Sequence, residues 1–192
     1  MPNTIMNYTL PTSVNIDGIE HPIRSDYRVI LDIISALNDD DFTDREKAIA
    51  MMRLFFVDAY AVTDWEKGLK AAAEFIACGR DEGNTKRPRV IDWDKDFPYM
   101  VSAINKVAGR EIRADSYCHW WTFIGYFDAI DGESTFANIV NIRNKKAKGK
   151  KLEKWEQEFY NANRDLCDIK SKQHGTSKEG LAALCEALAA EE

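Results

Sequence analysis

Residues 116–130, with the sequence SYCHWWTFIGYFDAI, form an almost uninterrupted series of bulky side chains. They include seven large apolar or aromatic side chains within residues 117–127: Tyr117, Trp120, Trp121, Phe123, Ile124, Tyr126 and Phe127. On a helix these side chains point in nearly all directions, and a helix that is apolar nearly all round is buried on most sides. The stretch therefore predicts a central helix around which the rest of the chain packs.

The adjacent tryptophans of this stretch, Trp120 and Trp121, point about 100° apart on a helix, so two sides of the helix need covering. One interpretation places both indoles in the core. A second leaves Trp121 at an exposed edge as an anchor for a partner, because tryptophan is favoured at binding hot spots. The sequence leaves both interpretations open.

Helical periodicity also dominates the regions on either side and predicts seven or eight helices in all. Capping residues mark several expected helix starts: Asp26, Thr43 with Glu46, Thr63 with Glu66, Ser134 or Thr135, and Thr176 with Glu179. Gly109 should end the helix that contains Met100 and Ile104. Near the N-terminus, Asp17-Gly18 between alternating apolar residues predicts a small β-hairpin. The expected fold is therefore mainly α: a multi-helix globular domain with a small N-terminal hairpin.

The C-terminal part begins with a basic run, residues 143–154 (RNKKAKGKKLEK), whose net charge is +6. This run predicts a linker or an exposed helix start between an acidic helical body, residues 1–142, and a C-terminal part, residues 143–192. Apolar residues then follow at spacings of three and four: Leu152, Trp155, Phe159, Ala162, Leu166 and Ile169. This seam predicts a C-terminal helix that faces a partner or another copy of the chain, or alternatively completes the core.

Composition argues against several functional classes. The 192 residues, 45% of them hydrophobic, suit one globular domain with or without an appendage. A net charge of −6 argues against a general nucleic-acid binder. No apolar run reaches the roughly 18 residues of a membrane span, and we expect no signal peptide. The basic run is open to three interpretations: a solvated segment, a docking surface for an acidic protein, or a phosphate contact.

Two groups of residues invite a chemical interpretation. Asp92, Asp94 and Asp96 have the spacing of a calcium loop, but the segment lacks the glycine and the glutamate that such a loop needs at its sixth and twelfth positions. Carboxylates that cap the positive end of a helix explain it better. His119 is interpreted as a hydrogen-bonded core histidine, although an enzyme using Asp92, Asp94 and His119 is an alternative. We expect no catalytic, cofactor-binding or metal-binding residues.

Several segments occur in an order that resembles one protein family. They are Ile23-Arg24-Ser25-Asp26-Tyr27-Arg28, Asp92-Trp93-Asp94-Lys95-Asp96 before a helix, Tyr117-Cys118-His119-Trp120-Trp121-x-Phe123, and Ile142-Arg143 before a lysine-rich stretch. The chain resembles the bacteriophage "gene product 15" family of long-tailed phages and prophages of Gram-positive bacteria. Its pattern has an extended start, an SD[FY]R segment and an hWW.F helix, and the resemblance covers roughly residues 14–160.

The resemblance implies a protein of tail morphogenesis. Genes of this family usually lie between those of the major tail protein and the tape-measure protein, where long-tailed phages encode tail assembly chaperones. It therefore implies a non-catalytic chaperone, without cofactors, that binds the tape-measure protein and recruits tail tube subunits in the cytoplasm of the infected or lysogenic host. The alternatives are a structural virion component of the tail completion or connector type, and the enzyme named above.

A chaperone of this kind would cover apolar stripes of a long helical partner by a helix-in-groove contact. The pattern singles out five candidate contact residues: Trp121, Leu152, Trp155, Phe159 and Leu166. The expected partners are the tape-measure protein, the major tail protein and a second copy of the chain. Membranes and nucleic acids are not expected partners.

Overall fold

The computed structural model describes residues 9–80 and 88–169. Over these residues the fold is mainly α, as predicted, with eight α-helices, two short 3-10 turns and one two-stranded hairpin. The described residues form two compact units. The first unit contains residues 9–80 and Tyr117–Trp121, and the second contains residues 88–116 and 122–169. The helix predicted to start at Thr176 lies outside the described residues.

The first unit begins with the predicted hairpin. Strand β1 (Ser13–Ile16) pairs antiparallel with strand β2 (Ile19–Pro22). Asp17 and Gly18 between them have φ values of 52° and 86°. Positive φ at both central residues is what a type I′ turn requires, so the Asp-Gly pair sets the hairpin as expected.

Three helices complete the first unit: α1 (Tyr27–Leu37), α2 (Asp44–Phe55) and α3 (Trp65–Ile76). Asp26 caps α1, and Thr43 with Glu46 forms the predicted capping box of α2. The box predicted at Thr63 is wrong. The N-cap of α3 is Asp64, whose carboxylate accepts a hydrogen bond of 3.0 Å from the backbone N–H of Lys67. An ionised carboxylate is the stronger acceptor for that N–H.

The core of the first unit lies where α2 meets α1 and α3. Its fully buried side chains include Ile30, Ile33, Met51, Met52, Phe55 and Leu69. Gly68 of α3 lies directly against Met52: a Cβ atom at position 68 would be 2.7 Å from Met52 Cε. The absence of a side chain at Gly68 therefore leaves room for the buried Met52 methyl group against α3.

Five helices remain: α4 (Trp93–Ala108), α5 (Trp120–Asp128), α6 (Thr135–Ala147), α7 (Lys154–Ala162) and α8 (Arg164–Cys167). Helix α5 starts with the last two residues of the first unit and continues in the second. Gly109 ends α4 with a φ of 67°, and Ser134 caps α6, both as predicted. Within the second unit α4 packs on α6, and the buried side chains include Met100, Ile104, Phe123, Ile139 and Ile142.

The central helix is shorter than the sequence predicts, because residues 117–119 are not helical. Their backbone instead pairs with residues 25–27: the N–H of Tyr27 donates to the carbonyl of Cys118 at 2.9 Å, and the N–H of Trp120 donates to that of Ser25 at 2.7 Å. Trp120 and Phe123 are buried as expected. Ile124 and Phe127 are only half-buried.

The single seam helix predicted over residues 152–169 is wrong. The chain leaves the helix at Asn163, whose φ and ψ are −132° and 41°, and this residue separates α7 from α8. The Asn163 side chain donates a hydrogen bond of 3.0 Å to the carbonyl of Phe159, and asparagine favours such local caps over helix interiors. Leu152 therefore precedes α7, and Leu166 lies on the separate helix α8.

The basic run begins as the last turns of α6 and not as a linker, since α6 extends to Ala147. Its first residue, Arg143, is buried, with 4% of the residue exposed. The exposed part of the run starts at Lys146, in the last turn of α6.

Candidate functional site

Four of the five predicted contact residues lie in the α7–α8 segment, residues 152–168. Trp155 is 46% exposed in the first turn of α7. Leu152, Phe159 and Leu166 are half-buried. The segment thus presents one exposed indole together with apolar side chains that the described structure covers only in part.

The inner side of α7 is polar. Among the residues of α7 only Glu156 is buried, at 1% exposure. Its carboxylate accepts hydrogen bonds from Lys145 Nζ, from Asn141 Nδ2 at 2.8 Å and from the N–H of Glu153 at 2.8 Å. The Lys145 ammonium, helped by the Glu153 N–H, lowers the pKa of Glu156. Helix α7 is therefore held on α6 by charge and hydrogen bonds more than by apolar burial.

Helix α8 is attached through its backbone carbonyls. The guanidinium of Arg143 donates to the carbonyl of Leu166. The ammonium of Lys95, on α4, donates to the carbonyl of Asp165 and, at 3.1 Å, to that of Asp168. Two cations thus satisfy carbonyls that the end of so short a helix leaves without helical partners.

The carboxylate of Asp168, which follows α8, makes a further attachment. It accepts hydrogen bonds from Lys146 Nζ at 2.6 Å and from the Tyr160 hydroxyl at 3.1 Å. The Lys146 ammonium also lies 3.7 Å from the centre of the Tyr160 ring, within the range of a cation–π contact. Lys146 lowers the pKa of Asp168, so this carboxylate is ionised at neutral pH.

The most buried polar contact of the second unit joins α4 to α6. The side chains of Asp96 and Arg143 are 1% and 3% exposed and form an ion pair, with 2.8 Å between Asp96 Oδ1 and Arg143 Nη2. Asp96 also accepts from the N–H of Asp92 at 2.9 Å, and Arg143 donates to the carbonyl of Val90 at 3.0 Å. Arg143 therefore binds α4, α8 and the segment before α4 from one position on α6.

The fifth predicted contact residue, Trp121, belongs to the first unit. Its indole N–H donates to the carbonyl of Phe75 at 2.9 Å, and its ring stacks on the Phe75 ring at 5.6 Å between centroids. Trp120 donates in the same way to the carbonyl of Ile76 at 2.8 Å. The two indoles satisfy carbonyls in the last turn of α3. Trp120 is buried and Trp121 half-buried, so the pair combines a core residue with an edge residue.

His119 is a hydrogen-bonded core histidine, as predicted, with 3% exposure. Its Nε2 lies 2.9 Å from the carbonyl of Pro11, and its Nδ1 accepts from the N–H of Trp121 at 3.0 Å. The second contact leaves Nε2 as the protonated nitrogen, which donates to Pro11. Both ring nitrogens are thereby engaged by backbone groups in the first unit.

The acidic segment before α4 divides into separate roles. Asp92 is the N-cap of α4, as predicted, and accepts from the N–H of Lys95 at 3.2 Å. Asp94 is exposed in the first turn. Asp96 is not only a cap, because it is the buried partner of Arg143. Over residues 9–80 and 88–169, no group of three or more His, Cys, Asp or Glu side chains is placed to hold a metal ion.

Sequence reasoning missed the roles of Arg143 and Lys145, because it treated residues 143–154 as one exposed basic run, and it also missed the buried Glu156 of α7. One signal was present for Arg143. It follows Ile139 by four positions, and residues four apart lie on the same face of a helix. No comparable signal marked Glu156, because the sequence predicted one longer helix over residues 152–169 and did not predict that a helix ends at Asn163.

Within the described part of the chain, no helix is long and apolar enough to cross a membrane.

The two segments most typical of the family resemblance contact each other. The carboxylate of Asp26 accepts from the N–H of Cys118 at 3.1 Å, and the Ser25 and Tyr117 hydroxyls are 2.7 Å apart. One protein family, described as bacteriophage Gp15 protein, matches residues 6–169. The chain belongs to this family. The Gp15 match covers most of the chain and confirms the resemblance, and membership supports a role in phage structure or morphogenesis. No curated protein and no solved structure gave a significant match.

Proposed function

We propose that this Gp15 family member acts in phage tail morphogenesis as a non-catalytic chaperone that binds the tape-measure protein and recruits tail tube subunits. Family membership supports the general role in phage structure or morphogenesis. The observation that carries the specific role is the exposed Trp155 on a helix whose buried side is polar. Such a helix places its apolar side chains where a partner can contact them. The action belongs in the host cytoplasm, before the tail is complete.

The exposure of Trp155 has no explanation in the stability of the described fold. Its indole makes one side-chain hydrogen bond, to Glu153 at 3.1 Å, and that residue is its near neighbour in sequence. Leu152 and Phe159, before and after it, are half-buried, so a partner could extend the contact along α7. Aromatic anchors with a partly covered apolar surround are typical of helix-in-groove recognition.

The tape-measure protein suits such a surface because its apolar stripes need covering before the tail tube forms. An acidic chain with a net charge of −6 would also keep the complex soluble through repulsion between copies of the complex. Trp121 is a second contact candidate, since it is only half-buried beside Phe75.

Co-expression of the full chain with the tape-measure protein of the same phage tests the proposal. Wild-type chain should co-purify with it, and Trp155→Glu should lose at least about tenfold of the captured partner, because a hot-spot residue contributes a large share of binding. Tyr60→Glu is the matched control. It changes an aromatic residue that is 83% exposed in the first unit and should leave capture unchanged.

Two results would contradict the proposal: a wild-type chain that captures no tape-measure protein, or a folded Trp155→Glu chain that captures it normally. Circular dichroism of the variant checks that it is folded. Mass spectrometry of purified particles separates the chaperone from a structural tail component. A chaperone should be absent from particles, whereas a stoichiometric signal would assign the chain to the virion.

A further inference from the structure

An acidic loop, residues 39–44 (DDDFTD), joins α1 to α2 and carries four aspartates. None of these carboxylates forms an ion pair with a residue that the structure describes. The loop is nevertheless ordered: the N–H of Asp41 donates to Asp39 Oδ1 at 3.0 Å, and Thr43 caps α2. Phe42, in the middle of the loop, is 41% exposed. The loop thus places four negative charges and an exposed aromatic ring close together.

A basic loop, residues 148–151 (KGKK), joins α6 to α7 and has the opposite charge. Gly149 has a φ of 65°, its N–H donates to the carbonyl of Lys146 at 3.0 Å, and the N–H of Lys150 donates to that of Lys145 at 2.8 Å. These two bonds form a Schellman motif, which fixes the chain as it leaves the helix. Lys148, Lys150 and Lys151 are exposed and have no ion-pair partner among the described residues.

Two other exposed lysines among the described residues each lie beside a carboxylate. Lys67 lies 2.7 Å from Asp17, and Lys106 lies 2.6 Å from Asp131. The two loops differ because each holds several charges of one sign close together on an ordered backbone. Like charges held in this way repel each other, and a complementary loop relieves that repulsion. An ordered loop also loses little conformational entropy when it binds.

We propose that two copies of this chain associate through the acidic loop of one copy and the basic loop of the other. Each copy carries one acidic loop and one basic loop. The acidic loop of a second copy can therefore compensate the charge of the basic loop without any other partner. Phe42 adds an apolar contact, which a protein surface can cover. A nucleic acid fits less well, because the chain as a whole carries a net charge of −6.

The contact joins two different surfaces. Two copies can each place their acidic loop on the basic loop of the other and form a closed dimer. Alternatively, each copy can bind the next one head to tail and form a ring or a chain. In either case the molar mass should rise with protein concentration. The contact does not involve Trp155, so the Trp155→Glu variant distinguishes it from the proposed binding of the tape-measure protein.

Light scattering after size exclusion, with the full chain at several concentrations, measures the association. We expect a molar mass above that of one copy at about 50 mM NaCl and a return to one copy at about 1 M, where screening acts within about 3 Å. Lys150→Glu/Lys151→Glu should weaken association at low salt at least about tenfold, because like charges then face each other. Asp40→Lys/Asp41→Lys should do the same.

Mixing the two variants is the decisive measurement. Each variant should associate only weakly alone. Each still carries the unchanged loop that complements the unchanged loop of the other, so the mixture should regain association. Arg53→Glu/Lys70→Glu is the matched control, because it makes the same change in net charge at exposed residues of α2 and α3. This control should associate like the wild type, and so should Trp155→Glu.

Any of three results would overturn the self-association. The first is a wild-type chain with the mass of one copy at every concentration and salt. The second is association that survives both charge reversals, or a mixture of the two variants that does not regain association. The third is binding of a labelled single-stranded oligonucleotide that Lys150→Glu/Lys151→Glu abolishes while the chain stays a single copy, which would assign the basic loop to phosphates.

Discussion

The carboxylate of Asp96 and the guanidinium of Arg143 form an ion pair whose two side chains are 1% and 3% exposed. The pair links α4 to α6 across 47 residues of sequence. Each partner also contacts a backbone group near the start of α4, while Nε of Arg143 is buried without a hydrogen-bond partner among the described residues. Each of the two buried charges is therefore compensated only while the other is present.

Removing one partner should be costly. Arg143→Met leaves the Asp96 carboxylate buried without its cation, and breaking a buried pair in this way costs about 3–5 kcal/mol of unfolding free energy. The double variant Asp96→Leu/Arg143→Met should lose less than the sum of the two single changes, since no charge is left unpaired. Urea unfolding of the four proteins measures the cycle. A loss below about 1 kcal/mol in the single variants would show that water compensates the pair.

The two adjacent tryptophans should differ in their contribution to stability. Trp120→Ala should lower the unfolding free energy by about 3–5 kcal/mol, the usual cost of removing a large buried aromatic side chain. Trp121→Phe should cost about 1 kcal/mol, because it keeps a ring against Phe75 but removes the hydrogen bond to its carbonyl. Thermal unfolding measures both. An unchanged melting temperature for Trp120→Ala would refute its place in the core.

Acid should loosen the α7–α8 segment before the apolar parts of the fold. The pKa values of Glu156 and Asp168 are lowered in the folded chain by Lys145 and Lys146. A carboxylate of this kind stabilises the fold above its unfolded pKa, and that stabilisation is lost as the pH falls through its folded pKa. The ordinary values are 4.5 and 3.8, so loosening should begin below about pH 4.5.

Hydrogen exchange, expressed as protection factors at pH 7 and at successively lower pH, measures this loosening. Amides of α7 should lose protection while those around Ile104 in α4 keep theirs. Glu156→Gln is the control: it should show low protection of α7 already at pH 7 and a smaller further loss in acid. Equal loss of protection in α7 and around Ile104 would mean that the segment does not open separately.

Replacing two helical glycines by alanine should change the unfolding free energy in opposite directions. Gly125 in α5 is exposed and a Cβ atom there would meet nothing within 4 Å, so Gly125→Ala should stabilise by about 0.5–1 kcal/mol. Gly68→Ala brings Cβ to 2.7 Å from the buried Met52, and overpacking costs about 1–3 kcal/mol. Chemical denaturation compares them. A stabilised Gly68→Ala would show that the Met52 side chain moves aside freely.

The Lys-rich run shows where sequence reasoning stops. Seven basic residues in residues 143–154 suggested one exposed element, but Arg143 and Lys145 hold buried carboxylates while Lys150 remains exposed. A charged side chain is buried only where a partner compensates it. The partner of Arg143 is distant in sequence, so the helix face that Arg143 shares with Ile139 was the one local signal that separated it from its neighbours.

The sequence by itself determined the elements whose hydrogen bonds close within a few residues. The Asp17-Gly18 turn, the Thr43 capping box and the end of α4 at Gly109 each depend on the local backbone preferences of those residues. Helical periodicity determined the mainly α fold for the same reason, because residues three and four apart share a helix face.

Only the tertiary structure decided which side chains of the candidate site are covered. Residues 117–119 are extended because their backbone finds partners in residues 25–27, about 90 residues earlier in the chain. Trp155 is exposed because the buried side chain through which α7 meets α6 is Glu156, and not an apolar residue. Burial depends on contacts between distant segments, and spacing along the chain does not record those contacts.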